Sequence, residues 1–240
     1  MLLGLGVLVQ IVVDLWIGGR LLRLARRTRG LPELGFGACL LLFGGLGIPT
    51  AAVARLGPFA SDGANQGLLI GALGLENLGS FALFLATWRV FRPNANWARA
   101  LVWIAGGAFL VSTPTSGDDG GVLYWLGCVF RGLPFFWSAL EATRYWGLLR
   151  RRRALGLAEP IVIERMALWA LSCSACAFGF VVFIGARLVG MEPTAAPVLL
   201  AQSSVALLSG GALWLGFAPP DWYRARFDAS AANAPVAGRA

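Results

Sequence analysis

Residues 2–30 read LLGLGVLVQIVVDLWIGGRLLRLARRTRG, and the pattern of this stretch decides the fold. Positions 2–19 are apolar but for Gln10 and Asp14, and Arg20, Arg23, Arg26, Arg27 and Arg29 then follow in close succession. At about 1.5 Å per helical residue, such a run crosses most of a hydrocarbon core of roughly 30 Å. Basic flanks are retained on the cytoplasmic side, so arginine after the run, with none before it, keeps the amino terminus outside. A secretory signal places its charge ahead of the apolar core; this segment reads instead as an uncleaved anchor.

The same alternation repeats along the chain. Apolar stretches recur at 31–54, 67–88, 100–115, 121–149, 161–186 and 198–218, the fourth of the seven being the shortest. The connectors at 20–30, 89–99 and 150–160 and the segment after 218 together hold fifteen arginines. Those at 55–66, 116–120 and 187–197 hold only Arg55 and Arg187, alongside Asp62, Asp118, Asp119 and Glu192. The asymmetry predicts an all-α integral membrane bundle of seven helices, with the amino terminus outside and the carboxyl terminus in the cytoplasm. One transmembrane domain covers 1–220. The Ala-, Ser- and Pro-containing tail, 221–240, is expected to be a largely disordered cytoplasmic extension. Trp88, Trp97, Trp146, Trp222 and Tyr223 fall at the cytoplasmic interface, and Tyr124 and Trp125 at the external one, where amphipathic rings are favoured.

Composition excludes several functions. The chain is 58% hydrophobic and 13% charged, which leaves no room for a soluble catalytic domain. Its net charge of +8 sits in short juxtamembrane connectors, where it meets anionic head groups of the lipid bilayer and not nucleic acid. All twenty basic residues are arginine, so no lysine is present to form a retinal Schiff base. Histidine is absent too, which removes bis-histidine haem, histidine metal sites and His-based acid–base or triad catalysis. The expectation is a protein that is not an enzyme and holds no cofactor and no metal. Cys39, Cys128, Cys173 and Cys176 all fall within apolar stretches, so a disulfide is not expected. Cys173 and Cys176 have a redox or metal spacing, but their small-residue setting also fits plain helix packing in lipid.

Ionisable groups within apolar stretches are costly, about 2.5–3.5 kcal/mol each at a helix centre, and therefore point to function. An outer and midplane layer comprises Glu76 and Asn77 in the third stretch, Arg131 in the fifth and Gln202 in the seventh. Trp137 and Trp169 lie deep enough either to line a cavity or, as buried aromatics more often do, to pack in the core. Glu76 and Arg131 lie at similar depths and are expected to pair. Such a pair either fixes helix register or lines a ligand pocket open to the outside. Pro134 frees a carbonyl one turn back, near Phe130, and bends the helix around Arg131. An inner layer holds Asp14, Glu33, Glu141, Arg144, Glu164 and Arg165. Glu141 and Arg144, three apart, share a helix face. Asp14, Glu141 and Glu164 with Arg144 and Arg165 form either a salt-bridge lock between the first, fifth and sixth helices, or simply interfacial residues serving helix ends and lipid heads.

Several strings at the cytoplasmic ends carry a resemblance. They are Arg29-Gly30-Leu31-Pro32-Glu33, Trp88-Arg89-Val90-Phe91-Arg92-Pro93, the run from Arg150 through Glu159-Pro160 to Glu164-Arg165, and Phe217-Ala218-Pro219-Pro220. In these the chain resembles uncharacterised bacterial seven-helix membrane proteins, and is similar to the membrane sensor regions that precede histidine kinases and cyclases. The resemblance implies a multi-pass protein of the bacterial inner membrane. No kinase or cyclase domain follows Ala240, so any output is expected to pass through a separate cytoplasmic signalling partner. The expected function is a sensory module that binds a small apolar or amphipathic ligand within the bundle and relays a helix shift inward. A transporter or channel for a small solute or ion is the alternative, with the two polar layers as successive stations.

Overall fold

The computed structural model describes residues 2–57, 59, 61–114 and 121–232. Asp118 and Asp119, assigned to an external connector by sequence, lie outside the described residues. Every regular element among the described residues is a helix. The elements are α1 (Leu2–Thr28), α2 (Leu31–Arg55), α3 (Asp62–Phe91), α4 (Asn96–Ser112), α5 (Val122–Ala154), α6 (Pro160–Leu188), α7 (Ala196–Phe217) and α8 (Asp221–Ala232). All but α4 and α8 are long and apolar enough to cross a membrane.

Boundaries follow local chemistry. Pro32 and Pro160 stand in the first turns of α2 and α6, where a missing N–H costs nothing. Ser61 caps α3 by accepting a hydrogen bond from the Ala64 amide. Most helices outrun their apolar stretches, because arginine is a good helix former and the ends project into water. The tail also departs from expectation: it opens with helix α8, begun by Asp221 directly after Pro219-Pro220, where an acidic first turn complements the helix dipole.

Within α2, residues Leu40–Gly47 form a π-helical segment. Pro49 explains it: its ring clashes with the Gly45 carbonyl four residues back, and a wider turn relieves the clash. Gly44, Gly45 and Gly47 leave room for neighbours there. A Cβ on Gly79 of α3 would stand 2.7 Å from the Phe43 backbone nitrogen, so α2 and α3 touch along bare backbone.

Contacts define the arrangement. Helices α1, α2, α3, α5, α6 and α7 close a ring in which α3 packs directly on α5, and α4 lies outside their seam. Glu76 and Arg92 of the α3 segment meet Arg131 and Glu141 of α5, so these two helices run parallel. Helix α4 returns between them: Trp97 lies against Trp137 at one end, and Thr113 bonds Asn77 at the other. The α3–α4–α5 core is Phe84, Val102, Phe109 and Trp137. A larger core gathers Ile17, Leu83, Phe135, Trp169 and Leu213. Trp88 is buried in the first of these cores and is not an interfacial belt residue, whereas Trp222 stays exposed.

Candidate functional site

The outer charge layer forms as a pair. Arg131 Nη1 lies 3.6 Å from Glu76 Oε2, with side chains only 7% and 14% exposed. Two features of α5 and α2 make the room. Gly127, one turn before Arg131, leaves space toward the guanidinium, and Gly47 of the π-helical segment admits the Glu76 side chain at 2.7 Å from where a Cβ would stand. Arg131 also reaches Cys128 Sγ at 3.5 Å, and Ser80 donates to the Arg131 carbonyl, tying α3 to α5 beside the ion pair.

The other residues expected around this pair face elsewhere. Asn77 donates to Thr113 Oγ1 at 2.7 Å, tying α3 to α4. Gln202 donates to the Gly179 carbonyl at 2.8 Å, tying α7 to α6. Trp137 packs on Phe84 and Trp97, with ring centroids 6.0 and 5.6 Å away. Each serves its own seam, so the five do not converge on one outer pocket.

Asp14 requires a correction. The apolar run ends at Gly19, which put Asp14 near the inner end; α1 continues to Thr28, which puts it at mid-helix. It is 3% exposed and accepts a 2.8 Å hydrogen bond from Gln10 Nε2. Its carboxylate presses on Gly44 of the π-helical segment. No ion pair joins Asp14 to Arg165 among the described residues, so the lock between α1, α5 and α6 does not form. Glu164 instead accepts from the Tyr223 hydroxyl at 3.0 Å, docking α8 on α6, and Arg165 is exposed.

The inner layer centres on Glu141, whose Oε1 accepts from Arg92 Nε at 2.9 Å and Arg144 Nη1 at 3.2 Å. The intrahelical contact was legible in the spacing. Arg92 was read only as part of the string closing α3, yet it makes the shorter contact. The hydrogen bond and charge of Glu141 hold the Arg92 guanidinium above its ordinary range.

Above this cluster lies a cavity of about 530 Å³. Its apolar wall comes from Phe36, Phe91, Trp169 and Phe217, with Tyr145 beside them. Its polar wall comes from Glu33, Arg92, Glu141 and Arg144. Trp169 is held by a 3.2 Å bond from its indole nitrogen to Ser138 Oγ and by edge contacts with Phe36 and Phe217. Phe43, Phe135 and Phe180 pack mutually at centroid distances of 5.3–6.0 Å as part of the larger core, Phe135 lying between Arg131 and Glu141 along α5.

The four cysteines are free thiols, with Cys176 bonded to Ser209 Oγ at 3.2 Å. Ser209 is itself 2.8 Å from Ser172, so this part of the α6–α7 seam is a small hydroxyl and thiol network. No group of residues suited to a metal ion occurs among the described residues. The fold thus defines a helical bundle with six helices able to span a membrane, a multi-pass architecture. Comparison with protein-family models, curated proteins and solved structures finds no match to this chain.

Proposed function

We propose that this chain is a seven-span sensory module of a bacterial inner membrane, with its amino terminus outside and its carboxyl terminus in the cytoplasm. It binds a small amphipathic ligand within the bundle, without catalysis, and passes a helix shift to a cytoplasmic partner. The observation that carries this reading is the cavity of about 530 Å³ at the arginine-rich end, within the 300–1,000 Å³ typical of small-molecule sites. Its walls belong to α1, α2, α3, α5, α6 and α7 together with the Arg92 turn. A ligand seated there touches nearly every inner helix end, and so biases their relative positions. The Glu76–Arg131 pair then serves as the fixed outer clasp of α3 on α5.

The aromatic trio of Phe43, Phe135 and Phe180 favours a binding module over a conduit, because its mutual packing puts apolar rings, not polar groups, at the depth between the two charged layers. Flux assays on liposomes carrying the full chain test this directly. We expect no solute or ion uptake above that of empty liposomes. Robust uptake abolished by Glu76→Gln would overturn the sensor reading in favour of a transporter.

A further inference from the structure

We propose that the inner cavity selects amphipathic anions, a carboxylate or phosphate head on one apolar chain or ring system, by presenting two exposed and only partly engaged guanidiniums at its mouth. This rests on the cavity being a ligand site as proposed above. Four charged residues line it, and their geometry is unequal. Glu33 stands in the first turn of α2 and turns back onto Gly30, away from the two arginines. Its Oε2 is buried without a hydrogen-bond partner among the described residues, and only the positive end of the helix dipole favours its charge. Glu141 must serve two arginines, and it does so through a single oxygen, Oε1. Arg92 contributes only its Nε and Arg144 only one terminal nitrogen to that contact. Each guanidinium carries five N–H donors, so most of both forks remain available.

Accessibility supports the same direction. The Glu141 side chain is 5% exposed, whereas those of Arg92 and Arg144 are 39% and 63% exposed. The carboxylate is sunk in the wall and the cations stand proud of it. Two converging guanidiniums are the geometry that recognises a carboxylate or phosphate through paired, charge-assisted hydrogen bonds. Behind them the Phe36, Trp169 and Phe217 rings form an apolar floor suited to an alkyl chain or ring. A neutral amphiphile would leave the surplus donors to water. A cationic one would meet two arginines at the entrance.

Brominated probes test the class, because bromine quenches tryptophan on contact and Trp169 lines the floor. The full chain in nanodiscs is titrated with 11-bromoundecanoate, 11-bromoundecanol and 11-bromoundecyltrimethylammonium. We expect a saturable quenching component, missing from Trp169→Phe, with the carboxylate bound at least tenfold more tightly than the alcohol and the ammonium weakest. Arg144→Gln, on the exposed arginine, should shrink the carboxylate preference several-fold while leaving alcohol binding intact. Equal binding of carboxylate and alcohol, or a preference for the ammonium, would sink the anion assignment yet leave the cavity as a ligand site. No saturable component from any probe would remove the ligand reading itself. Repeating the titration in phosphatidylglycerol and in phosphatidylcholine nanodiscs identifies the source of the anion. Competition by the anionic lipid supports a bilayer headgroup reaching in, and its absence supports a free amphiphile from the cytoplasm.

Discussion

Glu76 and Asp14 are both carboxylates buried in helices and both lie against glycines of the same π-helical segment, yet opposite outcomes are expected when each is made an amide. Glu76 has a cationic partner, so Glu76→Gln strands the buried Arg131 charge, and Arg131→Met strands Glu76. Each should cost about 3–5 kcal/mol, with the double change costing less than the sum, as read by thermal denaturation in detergent. Among the described residues Asp14 has only an amide partner in Gln10, so Asp14→Asn removes a carboxyl that no cation pairs while a polar contact to Gln10 survives. It should leave the melting temperature unchanged or raise it; a loss comparable to that of Glu76→Gln would show that Asp14 holds a counter-charge. The difference between the two residues explains what was legible. Glu76 and Arg131 could be paired from sequence because both sit far from any helix end, so depth alone matched them. Asp14 could not be placed, because the end of an apolar run is not the end of a helix when arginines continue it. Arg92 was overlooked for a related reason: a Phe-Arg-Pro string announces a terminus, and nothing in it says which way the guanidinium turns.

At the scale of elements, helix spans were legible and helix surfaces were not. Hydropathy marks each helix, but the π-helical segment arises from Pro49 acting on Gly45 inside one unbroken apolar run, which hydropathy does not register. At that segment α2 and α3 meet backbone to backbone, as they do again where Gly35 lies against Ala86. Gly79→Ala would push a methyl onto the Phe43 backbone, which cannot swing aside as a side chain can, and should lower the melting temperature by several degrees. Gly71→Ala on the same helix meets nothing within 4 Å and should be neutral or slightly stabilising through helix propensity. Equal effects at the two sites would mean that α2 and α3 are not in that contact. Helix α8 offers a second test through Tyr223. Burial, and then the hydrogen bond and charge of Glu164, push its hydroxyl up to about 12 from an ordinary 10.0. A folded pKa raised in this way makes the docking contribution full below the unfolded value, and lost as pH climbs through the folded one. Ultraviolet titration should therefore show a tyrosine step displaced to high pH, and Tyr223→Phe should delete that step. A deletion of an early step instead would place Tyr223 in open solvent.

For the molecule as a whole, the question is whether α4 crosses the bilayer. With 17 residues it is about 26 Å long, short of a hydrocarbon core of roughly 30 Å, and on length alone it is the doubtful span. The register of its neighbours supplies what length does not. Helices α3 and α5 run parallel, paired at Glu76–Arg131 and again at Arg92–Glu141, so the chain leaving the inner end of α3 has to return to the outer end of α5. Helix α4 makes that return, from Trp97 beside Trp137 to Thr113 beside Asn77. Its outward face, with Trp103 68% and Leu110 79% exposed, is as apolar as lipid requires. On the proposed seven-span topology, a modest local thinning of the bilayer or the snorkelling of flanking residues would accommodate the missing few ångströms. The arginine asymmetry then orients the bundle. Single cysteines introduced at Asn94, in the turn before α4, and at Val122, which opens α5, should react with an impermeant maleimide from opposite sides. Asn94→Cys and Arg151→Cys should label only after the cells are permeabilised, and Asp62→Cys and Val122→Cys in intact cells. Labelling of Asn94→Cys and Val122→Cys from the same side would confine α4 to one leaflet. Labelling of Arg151→Cys in intact cells would invert the whole bundle and, with it, move the cavity to the outside.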